Sequence, residues 1–271
     1  MESTSGCYSY GILGTTELRN GHGIQKAVPR PMSRALLAAL LLDRGRIIPA
    51  GRLIDTLWGE APPPSAQANL RFHIMQLRRL LPHRNALRTQ APGYTLMADH
   101  TDIDAELFES SIQRGQHAMM HGRLDEAEAV LSAGLALWRG HALMDVPDSP
   151  VFQPHRERLG ELHLVATEML METRLLAGQG PTLIAELTYL VDLHPLRERL
   201  RAQLMVALQR GGRPSEATRV FHSYRTALGR DCGLSPRIPL HDLHEAIVLD
   251  MNQQVMDHYR VLTWQPSPHL S

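Results

Sequence analysis

The sequence is short of several residue types, and each shortage excludes a class of protein. Only two of the 271 residues are cysteine, so a disulfide-stapled secreted domain is not expected, and reduced thiols are the default. No charge-free apolar run of about 18 residues occurs, which predicts that no helix spans a membrane. The first ten residues, MESTSGCYSY, lack the basic and apolar regions of a signal peptide. A cytoplasmic protein is therefore expected.

Lysine and aromatic residues are also scarce. The 28 basic residues comprise Lys26 and 27 arginines, a composition bias that makes any single arginine weak evidence of function. Aromatic residues make up 5% of the chain, so leucine, alanine and valine must form most of the core. That composition favours helices over an all-strand fold.

The formal net charge of zero hides an uneven distribution of charge. Residues 1–99 carry 12 basic and 6 acidic side chains, whereas residues 100–271 carry 16 basic and 22 acidic ones. The first part can therefore meet a polyanion such as nucleic acid, and the second part cannot.

The basic part begins with short strands and continues with helices. SYGIL, TELRN and IQKAV are predicted strands, separated by Gly14 and by the turn-forming pair Asn20-Gly21. Helices are predicted from about Met32 to Asp43, around Leu53 to Trp58, and from Pro62 to Pro82.

A β-hairpin is predicted after the third helix, in ALRTQAPGYTLMA, with Pro92-Gly93 at its tip. Strands, three helices and a hairpin in a basic domain are the plan of a winged helix-turn-helix. In that plan the third helix enters the major groove of DNA. We therefore predict a DNA-binding domain at residues 1–99 of a nucleoid-associated protein.

The acidic part reads as helices throughout residues 100–260, with a loose tail at 261–271. The hexapeptide GRLDEA (Gly122 to Ala127) returns as GRPSEA (Gly212 to Ala217), each between two helices, which predicts tetratricopeptide-like stacking. The fold class expected for the whole chain is mainly α with a small β component. The predicted helices span residues 104–120, 124–138, 155–177, 181–193, 196–210, 214–229 and 240–259.

The third helix of the basic domain has an apolar stripe and a polar outer face. Leu70, Ile74, Leu77 and Leu81 recur at core spacing. On the outer face, amides can bond base edges, a phenyl ring can pack on thymine methyl groups, and arginines can reach guanine or phosphate. The residues predicted to contact DNA in this way are Asn69, Arg71, Phe72, His73, Gln76, Arg78 and Arg79.

Three other interpretations remain open at this point. The third helix could be a solvated amphipathic helix with one stray aromatic residue. The chain could be a tetratricopeptide-like interaction scaffold whose first domain is merely structural, although such a scaffold has no need of a basic domain with a hairpin. A repressor would share all of the DNA-binding features.

Two long segments resemble a known family. LGTTELRNG, RALLAALLLDRGRIIPAGRLIDTLWGEAPPPSAQANLRFHIMQLRRLLP and LRTQAPGYTL resemble the N-terminal domain of the Streptomyces antibiotic regulatory proteins. That family is abbreviated SARP and belongs to the wider AfsR/RedD group. HPLRERLRAQLMVALQRGGRPSEATRVFHSYRTAL is similar to the bacterial transcriptional activator domain that follows in the same family. The resemblance covers about residues 10 to 250.

The resemblance implies a transcriptional activator of secondary-metabolite gene clusters with an OmpR-type winged helix. Such proteins bind direct repeats in double-stranded DNA near the −35 element as side-by-side copies, so a homodimer is expected, at least on DNA. They recruit RNA polymerase through sigma region 4 and core subunits.

The resemblance also assigns roles to residues of this chain by position. Phe72 and Gln76 match base-contacting places, and His73 and Arg78 match phosphate-contacting ones. Arg34 in the first helix and Arg88 in the wing are further expected backbone contacts. The loop expected to contact polymerase contains Trp58, Gly59 and Glu60.

Some features depart from the family or are missing. The family's acidic ELG segment is here DCGLSPRIPL, and no GxxxxGK[ST] phosphate loop occurs, so no nucleotide hydrolysis is expected. His117 and His121 are four residues apart, but neither a third metal ligand nor a catalytic constellation accompanies them. We expect no enzymatic activity, no cofactor, no metal and no membrane partner.

Overall fold

The computed structural model describes residues 8–20, 22, 24–82, 84–99 and 102–263. It is mainly helical with two small antiparallel sheets, so the predicted fold class is confirmed. No helix in the described ranges is both long and apolar enough to cross a membrane. The strands are β1 (Ser9–Gly11), β2 (Glu17–Arg19), β3 (Gln25–Lys26), β4 (Ile48–Pro49), β5 (Leu87–Gln90) and β6 (Gly93–Leu96). The helices are α1 (Pro31–Leu42), α2 (Ala50–Trp58), α3 (Ala66–Leu80), α4 (Asp104–Met120), α5 (Leu124–Leu135), α6 (Gln153–Leu176), α7 (Ile184–Leu193), α8 (Glu198–Arg210), α9 (Pro214–Cys232), α10 (Ile238–Val248) and α11 (Asn252–Thr263).

The chain divides into two compact units. The first contains residues 1–114 and 130–166, and the second contains residues 115–129 and 167–271. In the first unit, β1, β2 and β3 form an antiparallel sheet in which Tyr10 pairs with Leu18 and Leu18 with Lys26. The three predicted strands are thus confirmed, each shorter than its quoted segment.

Helix α1 is the centre of the first unit. Eight of its residues are buried, from Ser33 to Leu41, because alanine and leucine cover almost its whole surface. Pro31 occupies the first turn, where its missing N–H costs nothing. Helices α2 and α3 both pack on α1.

The second sheet of this unit has the order β4-β6-β5 and contains the predicted hairpin. Gly93 begins β6 and pairs with Pro49 of β4. A Cβ atom at Gly93 would lie 1.8 Å from the Ile48 carbonyl oxygen, so only glycine allows β4 and β6 to approach this closely.

The first unit does not end at the predicted domain boundary of residues 99–102. The Asp104 carboxylate accepts hydrogen bonds from the backbone N–H groups of Ile12 (2.8 Å) and Leu13 (3.1 Å). The N–H groups of Arg139 and Leu143 donate to the carbonyls of Leu13 and Ile12, each at 2.9 Å. These bonds satisfy the backbone N–H and carbonyl groups of Ile12 and Leu13, just after β1. Residues 104–114 and 130–166 therefore belong to the same compact unit. The boundary between functional domains remains a prediction, and the compact units do not follow it.

The repeated hexapeptide has the same local structure in both copies, which lie in the second unit. Gly122 and Gly212 have φ values of 69° and 70°, the left-handed region that glycine tolerates. The following arginine N–H closes the turn in each copy, from Arg123 to the Ala118 carbonyl and from Arg213 to the Leu208 carbonyl, both at 2.9 Å. The prediction that each copy of the hexapeptide joins two helices is therefore confirmed.

Helix α8 is the buried helix of the second unit, and α7, α9, α10 and α11 pack around it. The prediction of one helix over residues 240–259 was wrong. The chain breaks between α10 and α11, where Asp250 has a φ of 54° that a continuous helix cannot contain. Since α11 runs to Thr263, the predicted tail cannot begin at residue 261, and residues 264–271 lie outside the described ranges.

Candidate nucleic-acid interface

The outer face of α3 is exposed along its length. Arg71, Met75 and Arg79 are exposed, and Met75 keeps 43% of its surface accessible. Asn69, Phe72 and Gln76 are half-buried along one edge of that face. The structure thus brings the predicted α3 residues together but centres the exposed face on Met75, which the sequence analysis did not single out.

The rotation of this face follows from His73. His73 was expected to contact phosphate, but it is only 9% exposed, and its Nδ1 lies 2.9 Å from the hydroxyl of Ser33 in α1. Burial, and then the charge of Arg30, lower the pKa of His73, which favours the neutral ring. With His73 and Ala66 in the core, the buried stripe widens to one side and α3 turns the opposite side outward.

Phe72 is covered from above by an arginine of a neighbouring element. The Arg30 guanidinium carbon lies 5.1 Å from the centre of the Phe72 ring, a cation–π contact. Arg30 immediately precedes α1 and is exposed. The sequence offers no signal for this contact, since 42 residues separate the two side chains and both stand among other arginines.

The opposite edge of α3 is attached to the hairpin. Arg78 donates from Nε to the Leu87 carbonyl (2.9 Å) and from Nη2 to the Thr89 hydroxyl (2.7 Å), both in β5. Arg88, also in β5, is exposed and donates to the Asn85 carbonyl at 3.3 Å. Arg78 therefore fixes the hairpin beside α3, while Arg88 remains at the surface.

Ionic contacts sort the arginines of the basic part. Arg34, expected to contact phosphate, lies with Nε 2.8 Å from an Asp145 carboxylate oxygen and donates from Nη1 to the Val28 and Pro29 carbonyls, each at 3.1 Å. Arg44 is paired with Glu106, and Arg52 with Asp43. Within residues 1–99, four exposed arginines have no side-chain hydrogen bond or ion pair with any other described residue. They are Arg30, Arg46, Arg71 and Arg79.

Asn69 lies in the first turn of α3. Its amide nitrogen donates to the Ser65 hydroxyl at 3.2 Å, which leaves its amide oxygen without a described donor at the edge of the face.

The loop between α2 and α3 starts at Gly59, whose N–H donates to the Asp55 carbonyl and whose φ is 63°. Trp58 is half-buried, whereas Gly59 and Glu60 are exposed.

These elements define the class of protein. Three packed helices, a hairpin bonded to the third helix, and a basic exposed face on that helix form a winged helix-turn-helix, a class that presents its third helix to DNA. Within the described part of the chain, no group of three or more histidine, cysteine or acidic side chains is placed to hold a metal ion.

Comparison with known proteins gives the family. The model of the family described as "Transcriptional regulatory protein, C terminal" matches residues 26–96, and that of the "Bacterial transcriptional activator domain" matches residues 103–248. The Streptomyces peucetius regulatory protein DnrI is 36% identical over 84% of this chain and 87% of its own length. The chain belongs to the SARP family of transcriptional regulators.

Two longer relatives match most of this chain. The Streptomyces griseus regulatory protein AfsR is 36% identical over 92% of this chain, which spans only 25% of the AfsR length. A solved structure of Mycobacterium tuberculosis EmbR in complex with a low-affinity phosphopeptide superimposes with a TM-score of 0.86 at 30% identity. That match covers 95% of this chain and 70% of the EmbR chain.

Proposed function

We propose that this protein is a sequence-specific DNA-binding activator that turns on a secondary-metabolite gene cluster. The observation that carries the proposal is the exposed face of α3. This face holds Arg71 and Arg79, which have no partner among the described residues, and it lies between the N-terminal end of α1 and the hairpin. A protein-interaction scaffold would not require unpaired arginines on this face. Family membership and the similarity to DnrI support a role in antibiotic biosynthesis.

The contacts of the side chains support a division of roles within this proposal. Gln76 and the free acceptor of Asn69 read base edges, and Arg71 and Arg79 reach guanine or phosphate. Arg88 of the hairpin contacts the backbone. Arg78 holds the hairpin in place. We leave Arg34 and His73 out of the DNA contacts, because Arg34 is half-buried against Asp145 and His73 is buried.

The proposed regulatory mechanism is recruitment. Two copies bind direct repeats near the −35 element side by side, as a homodimer on DNA. The end of α2 at Trp58 and the exposed residues that follow it, Gly59 and Glu60, contact RNA polymerase at sigma region 4 and core subunits. The exposure of Gly59 and Glu60 supports this assignment.

Footprinting on the promoters beside the gene, followed by transcription in vitro, tests the proposal. We expect protection of a direct repeat, increased transcript, and loss of that increase in Glu60→Ala with an unchanged footprint. Reduced transcript with a normal footprint would make the protein a repressor. Absence of any footprint at low salt would contradict the DNA-binding proposal itself, because phosphate contacts are strongest there.

A further inference from the structure

Arg30 stands outside every predicted contact set, yet it lies beside the proposed DNA-reading face. Arg30 is the residue before α1, and its backbone is extended, with φ −94° and ψ 127°. Its side chain therefore projects from the N-terminal end of α1 and not from the packed surface of that helix. The guanidinium makes no ion pair or side-chain hydrogen bond with the other described residues. No described residue therefore occupies its side-chain N–H donors, which can bind a ligand.

Phe72 fixes the position of that guanidinium. The 5.1 Å separation from the ring centre places the cation over the phenyl face, where the attraction of the ring electrons holds it. A cation–π contact of this kind uses the charge of the guanidinium and none of its N–H groups in a hydrogen bond. By contrast Arg34, one turn further along α1, spends its donors on backbone carbonyls and lies against Asp145.

The location decides the chemistry of the ligand. Arg30 precedes the first residue of α1 and so lies outside α3, although its guanidinium reaches the Phe72 edge of the α3 face. In helix-turn-helix docking, the recognition helix contacts base edges, and the elements beside it meet the sugar-phosphate backbone. A guanidinium that forms no hydrogen bond with the described residues suits a phosphate oxygen.

We propose that Arg30, held on the ring of Phe72, contacts a backbone phosphate of the DNA at the edge of the groove that α3 enters. Phe72 is then a positioning residue for Arg30, and its covered ring is not the main contact for a thymine methyl group. This inference rests on the proposed function, since it needs the α3 face to meet DNA.

Fluorescence anisotropy with the full-length protein tests the inference on two duplexes, the footprinted repeat and a random sequence, over a range of salt. We expect Arg30→Ala to weaken both duplexes by the same factor, roughly five- to tenfold at low salt, because phosphate carries no sequence information. The salt slope of log K should decrease by about 0.9, the loss of one phosphate contact per protein.

Variants of Phe72 separate positioning from direct contact. Phe72→Leu keeps an apolar side chain but loses the ring face, so it should reproduce most of the Arg30→Ala loss, while Phe72→Tyr should bind within about twofold of wild type. The double variant Arg30→Ala/Phe72→Leu should bind no more weakly than Arg30→Ala. If Phe72 instead packs on a base, Phe72→Leu would weaken only the specific repeat, and its loss would add to that of Arg30→Ala.

Arg46→Ala is the matched control, because Arg46 is also exposed and unpaired among the described residues but has no aromatic ring beneath it. It should bind like wild type, and a loss equal to that of Arg30→Ala would show a general charge effect and overturn the inference. Normal binding by Arg30→Ala would overturn it too, and leave the proposed function standing. Failure of the wild-type protein to bind either duplex would instead remove the proposed function on which the inference rests.

Discussion

At the scale of single residues, His73 shows how one side chain orients a helix. Its imidazole lies 2.9 Å from the Ser33 hydroxyl inside the first unit. This contact fixes the rotation of α3, so that Phe72 lies at the edge of the outer face and Met75 at its centre. Arg71, Met75 and Arg79 are thereby exposed on the outer face, and Phe72 lies under Arg30. A buried neutral histidine also makes the fold sensitive to acid.

Acid should destabilise the protein in part through His73. Its folded-state pKa lies below the unfolded value, because burial and then Arg30 disfavour the charged ring. The contribution of neutral His73 to the free energy of unfolding is therefore fully present above the ordinary histidine pKa of about 6.5. It falls as the pH drops below that value, because the unfolded chain takes up the proton before the folded protein does. Urea unfolding at pH 7 and pH 5 should show a smaller loss for His73→Gln than for wild type.

The other two histidines with a lowered pKa contribute equally to both proteins in this comparison. Burial also lowers the pKa of His155 and His244, but both are present in the wild type and in His73→Gln. Equal losses of unfolding free energy in the two proteins would contradict the role given to His73.

At the scale of elements, the hairpin depends on the close approach of β4 and β6. Gly93→Ala would place a Cβ atom 1.8 Å from the Ile48 carbonyl oxygen, so the strands must separate. We expect a loss of roughly 1–3 kcal/mol in the free energy of unfolding, measured by urea denaturation.

Gly51→Ala is the matched control for that substitution. Gly51 lies in α2 and has no atom within 4 Å of an added Cβ, so alanine should be neutral or stabilise by up to about 1 kcal/mol. A Gly93→Ala protein as stable as Gly51→Ala would show that the hairpin does not need this contact.

Regular elements could be predicted from the sequence, because their causes are local. Helix α4 was predicted at residues 104–120 and lies at Asp104–Met120, since its apolar spacing is unbroken. The break at Asp250 was missed, because the helical pattern runs through it and only the backbone angle reveals it. The Arg30–Phe72 and Ser33–His73 contacts also escaped prediction, since each joins residues 40 or more positions apart.

At the scale of the whole molecule, the proposed DNA-binding domain is joined to later residues of the chain. Asp104 is 7% exposed, accepts two backbone hydrogen bonds from the segment after β1, and pairs with Arg139 at 2.8 Å. The first unit thus needs residues beyond the predicted boundary to satisfy the backbone of the segment after β1.

Removal of the Asp104 carboxylate should therefore destabilise the first unit. Asp104→Ala leaves two N–H groups without an acceptor, and we expect thermal or urea unfolding to show a loss of roughly 2–4 kcal/mol. Asp148→Ala serves as the control, because that carboxylate is fully exposed and solvent screens its pair with Arg156, so its removal should leave the stability almost unchanged. Equal small losses would mean that residues 1–99 form a self-sufficient domain.

The central claim is that the outer face of α3 reads DNA sequence, and the most direct test compares wild type with Gln76→Ala on the footprinted repeat and on random DNA. Anisotropy at fixed salt should show that Gln76→Ala loses roughly 1–3 kcal/mol on the repeat and little on random DNA. Gln113→Ala, an exposed glutamine in α4, should behave like wild type on both duplexes. Equal losses on both duplexes, or none, would contradict the claim that this face of α3 distinguishes one sequence from another.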